Sequence, residues 1–68
     1  MNKILKKIFS IAKEQEINQN ELSRMSGFNN ANISRWVNEQ RTPSIDAVER
    51  LAAALGYELV LKRKGVQE

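Results

Sequence analysis

Between residues 29 and 42 the chain concentrates side chains that hydrogen bond through flat amides and forked cations: Asn29, Asn30, Asn32, Ser34, Arg35, Asn38, Gln40, Arg41 and Thr42. An asparagine amide can pair bidentately with the major-groove edge of adenine, and a guanidinium with that of guanine. Ala31 can meet a thymine methyl. Asn30, Ala31 and Arg35 are the first candidates for base contact, with Asn29 and Asn32 behind them, since Asn29 could instead cap a helix and Asn32 touch sugar or phosphate. Phosphate contacts need only donors, which makes Gln19, Ser34, Asn38, Gln40, Arg41 and Thr42 candidates for holding a backbone. Taken alone, the asparagines also read as caps and solvated surface, and residues 38–42 as an ordinary polar loop.

The surrounding pattern must position these groups. Gln19 to Ser26 and Asn30 to Val37 read as two short helices separated by Gly27-Phe28-Asn29. The first is amphipathic around Leu22 and Met25; the second buries Ile33 and Trp36 and turns amides and an arginine outward. Trp36 could stack on a base, but its helical spacing from Ile33 assigns it to the core. Asn18 and Glu21 form an asparagine version of the capping box, with Ile17 and Leu22 as hydrophobic staple. Asn29 caps the next helix, with Phe28 and Ile33 as its staple. Gly27 suits a left-handed helix end.

Before this pair, Ile4, Leu5, Ile8, Phe9, Ile11 and Ala12 make one apolar stripe, predicting a helix from Asn2 or Lys3 to about Gln15. After it, Pro43 disfavours helix at Thr42. Ser44 then caps a helix whose buried stripe is Ile45, Val48, Leu51, Ala52 and Leu55, with Gly56 at its end. Asp46 and Glu49 lie near its positive end.

From Tyr57 the period changes. Tyr57, Leu59 and Leu61 alternate with Glu58, Val60 and Lys62, as in a strand. A lone strand leaves backbone groups unpaired, so a second copy of the same strand is the expected partner. Tyr57, Leu59, Val60 and Leu61 are then the dimerisation residues. A fifth helix or a disordered tail is the alternative. The expected fold class is mainly α: a compact four- to five-helix bundle with a helix-turn-helix in helices 2 and 3 and a C-terminal β-strand pairing across a dimer. The expected boundaries are 1–56 for the helical domain, 57–64 for the dimerisation strand and 65–68 for a flexible tail. Lys62, Arg63 and Lys64 could reach an anion or keep a strand edge soluble.

Composition narrows the field. The chain has 68 residues, no cysteine and no histidine. It is one small domain without the commonest general base or metal ligand. No nucleophile–base pair, phosphate-cradling glycine loop or metal cluster is present, so no catalytic residue, cofactor or small-molecule ligand is expected. No apolar run approaches the ~20 residues that span a bilayer, and lysines interrupt the first helix where a signal peptide would be continuous. No membrane partner is expected; a cytoplasmic, nucleoid-associated protein fits. The net charge of +3 favours an anionic partner without identifying one.

Gln19-x-Glu21-Leu22-Ser23, Gly27, Ile33-Ser34-Arg35-Trp36, Asn38, Pro43-Ser44-Ile45 and Leu51-Ala52-x-Ala54-Leu55-Gly56 together resemble the Cro/repressor-type (XRE-like) helix-turn-helix family. The resemblance spans about Ile8 to Gly56. It implies a bundle that binds operator DNA as a dimer, with base readout from the start of helix 3 and Arg35, and a backbone-clamping loop at Asn38 to Thr42. The C-terminal segment is similar to the strand of small antitoxin-type repressors. Two positions depart from the family pattern. Asn38-Glu39 replaces a frequent Asn-Gly, and Val37 replaces a frequent acidic residue, removing a salt bridge to helix 1. The function implied is a sequence-specific transcriptional regulator, a repressor on a palindromic operator. The alternative is an antitoxin-type interaction module that masks a toxin protein and autoregulates its operon.

Overall fold

Capped amphipathic segments build the fold. The computed structural model describes residues 2–61 and 63–65. They form α1 (Lys3–Glu14), α2 (Gln19–Ser26), α3 (Asn30–Val37) and α4 (Ile45–Ala54). Every helix starts on a side-chain oxygen that takes an otherwise orphaned backbone N–H. Asn2 accepts from Ile4 at 2.7 Å, Asn18 from Glu21 at 2.9 Å, Asn29 from Asn32 at 2.8 Å and Ser44 from Ala47 at 3.2 Å. At α2 the box closes, because the Asn18 N–H donates to Glu21 Oε1 at 3.2 Å. Each such cap stabilises its helix by about 1 kcal/mol.

The helix ends share a second device. In α1 the N–H groups of Glu16 and Ile17 donate back to Lys13 and Ala12; in α3 those of Glu39 and Gln40 donate to Trp36 and Arg35; in α4 those of Gly56 and Tyr57 donate to Ala53 and Ala52. This double closure needs a left-handed residue just past the helix. Gly56 adopts it with φ +87°, but so do Glu16 at +59° and Glu39 at +60°. The loop after α3, where the family often places glycine, thus keeps the glycine conformation with a glutamate in it. α2 ends on Gly27, φ +82°.

The core draws on all four helices: Leu5, Ile8, Ile11 and Ala12 from α1, Leu22 from α2, Ile33 and Trp36 from α3, and Ala47, Leu51, Ala52 and Leu55 around α4. Ile33 and Leu51 are fully enclosed, and Trp36 is 8% exposed. Trp36 is therefore core, as its spacing predicts. Ile17 and Phe28, the residues before the caps of α2 and α3, pack against the same cluster.

Three apolar residues placed in the core by periodicity lie outside it. Ile4 is 49%, Met25 48% and Ile45 75% exposed. In α1 the buried line runs through Leu5, Ile8 and Ala12, leaving Ile4 on its margin. In α4 Ala47 takes the place expected for Ile45. Ile4 and Ile45 instead border one groove with Leu5, Pro43, Val48 and Leu59. In α2 the buried partner of Leu22 is Ser26, whose hydroxyl donates to the Leu22 carbonyl at 2.7 Å.

The C-terminal expectation also changes. Tyr57 to Leu61 forms neither strand nor fifth helix, and no strand occurs among the described residues. The Tyr57 N–H is committed to closing α4 rather than to a ladder. Leu59 packs on the core while Tyr57, Val60 and Leu61 face outward, so Tyr57, Leu59 and Leu61 do not share a buried face. Lys62 and the end of the expected tail, residues 66–68, lie outside the described residues.

Candidate nucleic-acid interface

The turn between α2 and α3 is held from several sides. Ser23 Oγ donates to the Phe28 carbonyl at 2.5 Å, and the Phe28 N–H reaches Ser26 Oγ at 3.4 Å. From α4, Arg50 Nη2 donates to the Ser26 carbonyl at 2.8 Å. The same guanidinium lies 4.2 Å from the centre of the Phe28 ring, where a cation is attracted to the aromatic face. Phe28 in turn meets Trp36 edge to face, centroids 5.0 Å apart. Arg50, Phe28 and Trp36 thus couple α4 to both ends of the segment that launches α3. Gly27 makes the approach possible, since a Cβ there would stand 2.7 Å from Arg50 Nη2.

α3 buries Ile33 and Trp36 and exposes Asn30, Ala31 and Arg35. Asn29 has its oxygen on the Asn32 N–H, so its amide nitrogen is what remains for a ligand. Asn32 is half-buried and accepts from Arg35 Nη1 at 3.1 Å. That contact lays the guanidinium along the helix and leaves its other donors outward. Ala31 adds a small apolar step between amides. Ser34 is half-buried and accepts from Asn38 Nδ2 at 3.3 Å. Gln40, Arg41 and Thr42 are exposed along the loop that follows.

Gln19, at the first turn of α2, meets the first turn of α3. Its Nε2 donates to Asn30 Oδ1 at 2.8 Å and comes within 3.5 Å of the Asn30 carbonyl. Asn30 Nδ2 donates to Asn20 Oδ1. The two helix starts are therefore tied by three amides at the edge where backbone donors of both helices also point outward.

Sequence reading found the exposed residues of α3 but not Asn20 or Arg50. Asn20 carries no signal beyond being a polar residue in an amphipathic helix. For Arg50 the one available signal is a glycine at 27 able to admit a close neighbour. Among the described residues no cluster of carboxylates could hold a metal, and no helix is long and apolar enough to cross a membrane.

Two short helices meeting at a glycine turn, the second exposing amides and a guanidinium, inside a four-helix bundle, define a helix-turn-helix DNA-binding domain. A helix-turn-helix family model matches residues 8–62. The chain belongs to that family, the Cro/C1-type or XRE-like regulators, and is a DNA-binding transcription regulator. No curated protein and no solved structure matches the chain.

Proposed function

We propose that the protein is a repressor that reads a near-palindromic operator as a homodimer. The observation that carries this reading is the exposed edge of α3: Asn30, Ala31 and Arg35 face outward from a helix whose other face is locked into the core. In this reading Asn30, Ala31 and Arg35 contact bases, with Asn29 and Asn32 contributing their remaining amide atoms. Gln19, Ser34, Asn38, Gln40, Arg41 and Thr42 hold the phosphate backbone on either side. Two copies place two such helices ~34–36 Å apart, one helical turn of duplex.

The second copy is supported by the apolar residues the chain leaves uncovered. Ile4, Ile45, Val60 and Leu61 line one open depression with Leu59 and Glu49, and Leu61 is fully exposed. Lysines 3 and 7 on α1 and the carboxylates of Asp46, Glu49 and Glu58 lie around this region. Basic and acidic margins on one patch allow a two-fold partner to oppose unlike charges. Dimerisation through Tyr57, Val60 and Leu61 then uses side-chain burial alongside Ile4 and Ile45.

Selection of binding sites from a random duplex pool at near-physiological salt tests the reading. An enriched inverted repeat is the expected result. Absence of enrichment, together with a stoichiometric protein partner recovered from the native host, would replace it with the antitoxin-type interaction module.

A further inference from the structure

A shallow depression lies where α1, α2 and α3 meet. Phe9, Ile33 and Val37 wall it with hydrocarbon, and Lys13, Asn18 and Gln19 supply its polar rim. Among the described residues no carboxylate lines it. Lys13 stands in the last turn of α1 and is exposed. A lysine there can lay its methylenes on the apolar wall and carry its ammonium to the rim. Lys3 and Lys7 line a different depression, beside Tyr57 and Leu59. The charge of α1 is thus divided, with Lys13 on the side of the helix-turn-helix.

Gln19 shares that rim and, in the reading proposed above, holds the DNA backbone. Resting on that reading, we infer that Lys13 is a second backbone-binding residue on the same rim: its ammonium engages a phosphate of the strand that Gln19 holds. An ammonium is a compact point charge with three donors. It suits phosphate oxygens and carries no information about base edges. Ile33 and Val37 offer it no anion from α3, so a phosphate meets it there without displacing an ion pair. α1 then joins the interface, although none of its residues belongs to the exposed face of α3 or to the loop after it. The contact adds affinity alike at every sequence and helps fix the register at which α3 enters the groove.

Fluorescence anisotropy tests this, with the full chain on the duplex it selects and on copies in which one phosphate at a time is replaced by an uncharged methylphosphonate. Lys13→Gln is expected to reduce the slope of log affinity against log salt by ~1. It is expected to weaken binding about two- to fivefold at near-physiological salt, on selected and random duplex alike, with the selected base columns unchanged. Lys13→Arg keeps the charge and restores the parent values. In each half-site one methylphosphonate weakens the parent chain by that same factor and leaves Lys13→Gln unaffected. The inference is overturned if Lys13→Gln keeps the parent slope or if Lys13→Arg fails to restore it. It is also overturned if every methylphosphonate costs the variant what it costs the parent, since net charge alone would then be at work. A parent chain that selects no duplex overturns the DNA-reading proposal itself; one that selects a duplex and ignores Lys13 overturns this inference alone.

Discussion

Replacing Gly27 by alanine separates two roles of one residue, and the structure sets the size of each. The first is conformational. Gly27 holds φ +82°, and forcing a residue with a Cβ into the left-handed region costs roughly 1–2 kcal/mol. The loss of glycine's unfolded freedom returns about 0.4–1 kcal/mol, leaving a net cost near ~1 kcal/mol. The second is steric. The new Cβ would lie 2.7 Å from Arg50 Nη2, so the guanidinium must shift. The hydrogen bond to the Ser26 carbonyl and the contact with the Phe28 ring are lost to the extent that it does, and their full loss sets the upper end of the cost. Arg50 is exposed, so water replaces part of what is lost. The hydrogen bond then counts for about 1 kcal/mol and the ring contact for about 0.5–1 kcal/mol.

Gly27→Ala should therefore destabilise the fold by about 2–3 kcal/mol. A domain of this size gains only a few kcal/mol from folding, and the loss should lower its thermal midpoint by ~10–20 °C. The assay is a double-mutant cycle with Arg50→Ala, followed by urea and thermal unfolding. In the Arg50→Ala background the steric part is already gone, and Gly27→Ala should cost only about 1 kcal/mol. The coupling between the two substitutions should thus be about 1–2 kcal/mol. Equal costs in both backgrounds would refute the argument, because Arg50 would then have no part in what glycine permits.

Other substitutions probe separate features. Glu16→Gly should stabilise the fold by about 0.5–1 kcal/mol in urea unfolding, since Glu16 closes α1 at φ +59° where glycine is unstrained. Arg35→Ala should lower operator affinity by ~1–3 kcal/mol while affinity for random duplex persists; equal loss on both would remove it from base reading. Arg41→Ala should weaken both sites alike and reduce the slope of log affinity against log salt by ~1, as measured by fluorescence anisotropy. Ile45→Glu, at a position 75% exposed, should leave the thermal unfolding of the monomer little changed but shift sedimentation from dimer to monomer; an unchanged dimer would place the contact elsewhere.

What the sequence revealed, and what it withheld, divides by range. Asn18, Asn29 and Ser44 were legible as caps because each acts on an N–H three residues away, and the helices they start follow. Ile33 and Trp36 were legible as core because one helical face is a local property. Ile45 and Ile4 were not, since whether a stripe's margin is covered depends on where the neighbouring helix lies. Tyr57 to Leu61 misled for the same reason. A period of two says only that a segment could be a strand, whereas the ladder partner and the α4 closing bond that takes the Tyr57 N–H are set elsewhere in the chain. Glu16 gave no sign of its left-handed backbone, because nothing in a glutamate asks for one. The division also runs through the interface. Asn30 and Arg35, the groups that would touch bases, are recognisable from their own chemistry. Asn20 and Arg50 act through contacts visible only once the chain is folded, Asn20 on Asn30 and Arg50 on the Ser26 carbonyl and the Phe28 ring. Residue chemistry can therefore nominate the readers of a duplex, whereas the groups that brace the helix carrying them are set by the fold.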